Sequence, residues 1–153
     1  MPTSMVRRDT ASRLVKAPAS AIYDALTSRE AVSTWLPPHD ATMEVQAFEP
    51  RVGGRFRMTL TFAAAPGKST ANTDVVVGRF VDLVPRELVA QAFEFASADP
   101  AFAGTMTMTW TLQAVADGTI VTVMAEDVPS GIDREDHEAG MRSSLAHLAA
   151  YVE

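Results

Sequence analysis

In DREDHEAGMRSSLAHLAAYVE, residues Asp133–Glu153, the apolar side chains Met141, Leu145, Leu148 and Val152 recur at intervals of four, three and four. That spacing stacks them in one stripe along an α-helix. Arg142, Ser143 and His147 fall on the opposite side. Asp133 is placed to cap the N-terminus, and Glu135, Asp136 and Glu138 occupy the first turn, where the helix dipole favours negative charge. A stripe of this length needs a large apolar partner. Nearly everything between Met43 and Ala125 reads as short strands, so the expected partner is a sheet that wraps around the helix.

Upstream of that helix the pattern has a period of two. Met43, Val45 and Ala47 alternate with Glu44 and Gln46, Arg51-Val52-Gly53-Gly54 turns the chain, and Phe56, Met58, Leu60 and Phe62 are separated by Arg57, Thr59 and Thr61. A second pair, Asp74–Leu83 and Leu88–Phe95, is joined across Val84-Pro85-Arg86-Glu87. Met106, Met108, Trp110 and Leu112 alternate with threonines, and Asp117-Gly118 is a hairpin signal before Thr119–Ala125. Met5–Lys16 reads as a first strand, followed by a short helix from Pro18 with Ile22 and Leu26 on one face. Thr27 with Glu30 matches a capping box for a second short helix, carrying Val32, Trp35 and Leu36 and stopped by Pro37-Pro38. Ala63–Ala71, with Pro66, Gly67 and Lys68, reads as a turn. The expectation is an α+β fold of about seven mostly antiparallel strands with two small helices after the first strand and one long helix at the end.

Size and composition set the bounds. The 153 residues suit a single domain, 1–153, which buries roughly 68–70% of its unfolded surface. A net charge of −6 and a pI near 5.0 oppose binding to phosphate backbones, so nucleic acid is not an expected partner. Cysteine is absent, which removes disulfides, thiolate metal sites and a cysteine nucleophile, and three histidines without cysteine offer no metal set. No stretch reads as a signal peptide or a membrane span, and the cytoplasm is the default compartment. Eight Met against two Trp and two Tyr is a marked bias, since Met fills irregular apolar space and adapts to different shapes.

From about Ala17 onward the chain resembles the START-like (SRPBCC), helix-grip superfamily. Within it, the resemblance is to the branch related to the C-terminal domain of the activator of the heat-shock-protein-ninety ATPase. The resemblance rests on the order and spacing of several segments. They are Pro18–Thr27, Trp35-Leu36-Pro37-Pro38, Arg51–Phe56, Gly78–Pro85, Asp117-Gly118-Thr119, and His137-Glu138-Ala139-Gly140-Met141 leading into Ser144-Leu145. It implies a curved antiparallel sheet gripping the last helix, a deep cavity between them and, often, a hydrophobic ligand. Members of the branch often carry Trp after the helix glycine, where this chain has Met141; a roomier or more plastic pocket floor is implied. No shared catalytic set carries over, and fold alone does not settle function.

The cavity residues expected from alternation and the helical stripe are Trp35, Phe56, Met58, Phe93, Phe95, Met106, Met108, Trp110, His137, Met141 and Leu145. The same residues serve equally well as solid core, and only an unfilled volume would promote them. His137 lies one turn before Met141, points toward the sheet, and is the titratable group best placed for acid–base work. Its plain alternative is a cap-region histidine bonded to a backbone carbonyl. Glu44, Glu126 and Asp127 are the candidate acids, although alternation turns Glu44 and Glu126 to solvent. No cofactor is indicated.

Three functions are carried forward. The first is a binding domain for a small hydrophobic, aromatic or lipid-like molecule. The second is a cyclase-, aromatase- or hydrolase-like enzyme using the same cavity. The third is a chaperone-interaction module, disfavoured because the chain reads as one domain without the additional N-terminal domain of the full chaperone activator. An exposed strand edge also offers a route to a homodimer.

Overall fold

Alternation and amphipathicity build the elements in the expected order. The computed structural model describes residues 7–38, 41–63, 67 and 70–153. After β1 (Arg8–Val15) come α1 (Ala19–Leu26) and α2 (Arg29–Trp35), then β2 (Ala41–Phe48), β3 (Arg55–Phe62), β4 (Thr73–Val84) and β5 (Leu88–Phe95). A 3-10 turn at Pro100–Phe102 leads to β6 (Met106–Val115), β7 (Gly118–Glu126) and α3 (Arg134–Val152). The seven strands form one antiparallel sheet in the order β1-β7-β6-β5-β4-β3-β2, a curved helix-grip arrangement of the α+β class. The start of the first strand at Met5, and the turn residues Pro66 and Lys68, lie outside the described residues.

Asp133 caps α3 as its sequence position implies, its carboxylate accepting from the Asp136 amide at 3.0 Å. The cap of α2 differs from expectation. Ser28, not Thr27, accepts from the Ala31 amide, because the Thr27 hydroxyl is committed to the Tyr23 carbonyl at the end of α1. His147 also departs from its place on the solvent side of α3. The end of α2 covers that flank, and the ring is half-buried with Nδ1 donating to the Pro37 carbonyl at 2.9 Å.

The long helix packs along the edge strand β1 and against α1 and α2 rather than over the middle of the sheet. An edge strand exposes unpaired amides, and side chains of α3 take up two along this stretch of chain. Glu138 accepts from the Thr10 amide at 2.8 Å and Glu153 from the Lys16 amide at 3.0 Å.

Position 78 shows how tightly the sheet's inner face is packed. Phe56, Gly78, Phe93 and Met106 lie in one transverse row. A Cβ at Gly78 would sit 2.3 Å from the Ala92 carbonyl oxygen, 2.6 Å from the Phe93 Cβ and 2.7 Å from the Phe56 Cζ. Glycine thus lets the two rings close over β4, with centroids 6.3 Å apart. We expect Gly78→Ala to cost about 1–3 kcal/mol by overpacking, read as a lower urea midpoint; an unchanged midpoint would show that the rings yield freely.

Candidate functional site

Because α3 lies toward the β1 side, the inner faces of β3 to β6 are left short of a partner. Between them and α3 is a cavity of about 300 Å³. Its walls are alternate residues of the strands: Phe56, Met58, Leu60 and Phe62 from β3, Val76 from β4, Phe93 and Phe95 from β5, and Met106, Met108 and Trp110 from β6. Inward parity, which sequence alternation reveals, is what puts them there. The helix contributes His137, Gly140, Met141 and Ser144, a set spaced three, one and three residues apart on one face. Leu36, Pro38, Met43, Val123 and Ile132 complete the apolar part.

Nine of the eleven anticipated residues thus meet at one cavity; Trp35 and Leu145 do not. Trp35 is 2% exposed, donates from its indole Nε1 to the Ala25 carbonyl at 2.9 Å and stands edge-on to Trp110 with centroids 5.4 Å apart. It braces a cavity wall from behind. Leu145, 1% exposed, turns into the core with Leu148, and Ser144 takes the cavity-facing position instead, its hydroxyl donating to the Leu36 carbonyl at 2.9 Å. The stripe fixed which residues of the helix are apolar, but its rotation is set by docking on β1.

The polar part of the site centres on Asp9, fully buried on β1. The Arg7 guanidinium donates to both its oxygens, Nε to Oδ1 at 2.9 Å and Nη2 to Oδ2 at 2.8 Å, and also reaches the Ile132 carbonyl ahead of α3. His137 Nδ1 lies 2.7 Å from Asp9 Oδ2, and Arg134 Nε stands 4.0 Å from Oδ1. Burial alone would raise the Asp9 pKa, but the hydrogen bonds from Arg7 and His137, with their charges, outweigh it and hold the carboxyl below its ordinary value. An ionised carboxylate only accepts, so the proton of that contact resides on His137 Nδ1.

His137 therefore has a carboxylate partner rather than the backbone carbonyl of its plain reading. The candidate acids Glu44 and Asp127 are exposed, and Glu126 pairs with Arg8 at 3.5 Å. Among the described residues the buried carboxylates are Asp9 and Asp74. Asp74, Gln91, Asp136, His137 and Ser144 are the polar residues of the cavity wall. Sequence reading passed over Asp9, Asp74 and Gln91, although the signal was available: Asp9 shares parity with Ala11, Asp74 with Val76, and Gln91 with Phe93. Among the described residues no cluster of three or more His, Asp or Glu could hold a metal ion, and no helix is long and apolar enough to cross a membrane.

The profile of a family described as activator of Hsp90 ATPase homolog 1-like protein matches residues 16–153. Among solved structures, a protein from Chromobacterium violaceum is 29% identical, with a TM-score of 0.86 over 95% of this chain and 96% of that one. A Rhodobacter sphaeroides protein is 21% identical, with a TM-score of 0.78 over 98% and 93%. DynU16, a putative protein of the dynemicin biosynthetic locus, is 20% identical, with a TM-score of 0.68 over 94% of this chain and 46% of that chain. Among curated proteins none matches the sequence.

The Asp9 node yields a pH prediction. A carboxyl whose folded pKa is depressed contributes stability that is fully present above its unfolded value, about 3.9, and is lost as pH falls through the folded value. Asp9→Asn should lower stability at pH 7 by on the order of 3 kcal/mol, because Arg7 loses its buried counter-charge, and should flatten the decline below pH 4. Urea midpoints at pH 7 and pH 3 measure both effects. Parallel profiles for the two proteins would contradict the assignment.

Proposed function

We propose, for a chain that belongs to the activator of Hsp90 ATPase homolog 1-like family, that the cavity between sheet and α3 binds a small hydrophobic molecule. A volume of about 300 Å³ is at the lower end of small-molecule pockets, roughly 300–1,000 Å³, and about twice that of an engineered cavity of ~150 Å³ that stays dry and takes up benzene. One or two fused rings are the occupant of best size. Phe and Trp faces along the walls favour a flat aromatic guest, while the methionines can rearrange around its outline.

The observation that carries this reading is Gly140. Glycine inside a helix costs roughly 0.5–1 kcal/mol relative to alanine, yet a Cβ at Gly140 would meet nothing within 4 Å. No steric need explains the residue. Gly140 borders the cavity beside Met141, and the free room at its Cα supports the reading that the space is kept for a guest. The pairing of His137 with Asp9 on the same wall favours, as a second reading, an acid–base enzyme that uses the cavity as its substrate site.

The test is a titration with N-phenyl-1-naphthylamine, a neutral fluorophore that brightens in apolar surroundings. Wild-type protein should give a saturable signal. Gly140→Ala should raise stability by about 0.5–1 kcal/mol, and Gly140→Leu should weaken probe binding at least about tenfold without lowering the melting temperature. No saturable signal, or equal binding by wild type and Gly140→Leu, would overturn the proposal.

A further inference from the structure

The polar groups of the cavity differ in what they have left to offer a guest. The Ser144 hydroxyl is given to the Leu36 carbonyl, and Asp74 has a partner of its own. Asp136 is exposed in the first turn of α3. His137 and Gln91 are different. Once Nδ1 is taken by Asp9, His137 Nε2 has no hydrogen-bond partner among the described residues, and neither does the Gln91 amide. Among the described residues no buried side-chain nitrogen or oxygen is left unsatisfied, so neither group is sealed in. Both residues border the cavity, so their unused capacity is available at its wall.

The sheet register places the two groups relative to one another. Asp9 faces Ala125, Ala125 faces Met108, and Met108 faces Gln91, so all four lie in one row on the inner face. Three strand spacings, roughly 14 Å along the sheet, separate Asp9 from Gln91. The imidazole reaches from the Asp9 end of this row, and Met108 forms the apolar floor between the two polar groups. The tautomer of the neutral ring follows from its partner. In its neutral form His137 keeps its proton on Nδ1, against the carboxylate it shares with Arg7, and presents a lone pair at Nε2. A lone pair in an apolar enclosure selects a hydrogen-bond donor.

We propose that His137, oriented by Asp9, accepts the hydroxyl proton of a phenolic or enolic ligand, which makes the ligand class an acidic-hydroxyl ring compound rather than a plain hydrocarbon or lipid chain. This rests on the reading that the cavity binds a small apolar molecule. His137 is the group that touches the ligand; Asp9 is a positioning residue that fixes its tautomer and stabilises the imidazolium formed when the proton moves. In that step the O–H bond breaks, Nε2–H forms, and the ligand oxygen keeps the electron pair.

Two naphthalenes of matched shape test it, 2-naphthol and 2-methylnaphthalene. The readout is the ratio of their dissociation constants, so that changes in packing common to both cancel. His137→Leu should shift this ratio about tenfold against 2-naphthol, while 2-methylnaphthalene stays within about twofold of wild type. Wild-type protein supplies an independent arm. Excited 2-naphthol is a strong acid, and when bound it should emit as naphtholate after giving its proton to Nε2.

An unchanged ratio in His137→Leu, or emission from bound neutral naphthol alone, overturns the assignment while leaving the apolar-cavity reading intact. A ratio shift caused by Gln91→Leu in place of His137→Leu puts the hydroxyl at Gln91 and also overturns it. If neither naphthalene binds, the cavity reading fails and this inference fails with it.

Discussion

The structure depends on how α3 is fastened to the edge strand β1. Asp9, buried at the junction, is held by Arg7 from its own strand and by His137 from the helix, and Glu138 and Glu153 occupy backbone amides along the same strand. A buried carboxylate without these donors would be strongly unfavourable, so β1, the loop carrying Ile132 and the start of α3 must form together. The apolar side chains of Leu145 and Leu148 then pack into the core beside α1. Polar contacts fix where the helix lies, and apolar burial supplies most of the stabilisation once it is there.

Fastening the helix at one edge has a cost at the other. A seven-stranded sheet is too wide for one helix to cover, and the inner faces of β3 to β6 remain partly without a partner. Large side chains close much of the gap. Gly78 allows Phe56 and Phe93 to approach, and Trp35 braces Trp110 from outside the cavity. Gly140 works in the opposite sense, since it withholds a side chain where there is room for one. Tight packing behind the walls and open space in front of them belong to one arrangement.

Much of this was legible in the sequence. The strands announce themselves because one face of the sheet is dry, and parity then assigns Phe56, Met58, Phe93, Met106, Met108 and Trp110 to that face. The α3 stripe was equally clear, but a stripe does not state its rotation, so Leu145 was expected where Ser144 is found. Trp35 was misplaced because amphipathicity says that a face is buried without saying against what. Asp9, Asp74 and Gln91 were hidden by the usual rule that polar residues face water. Their parity pointed inward, and only a tertiary partner such as the Arg7 guanidinium makes that tolerable for Asp9. His147 was missed for a similar reason: the cover from the end of α2 is a long-range event.

The family relationship and the neighbouring structures agree on the fold, and the cavity gives that fold its chemical content. The central claim is that unfilled, largely apolar space exists between Met108 and Met141. Crystals pressurised with xenon examine it directly, since xenon enters empty apolar cavities and scatters strongly. The account predicts a xenon site bordered by Met106, Met108 and Met141. A map without xenon there, with those side chains in mutual contact, would contradict it.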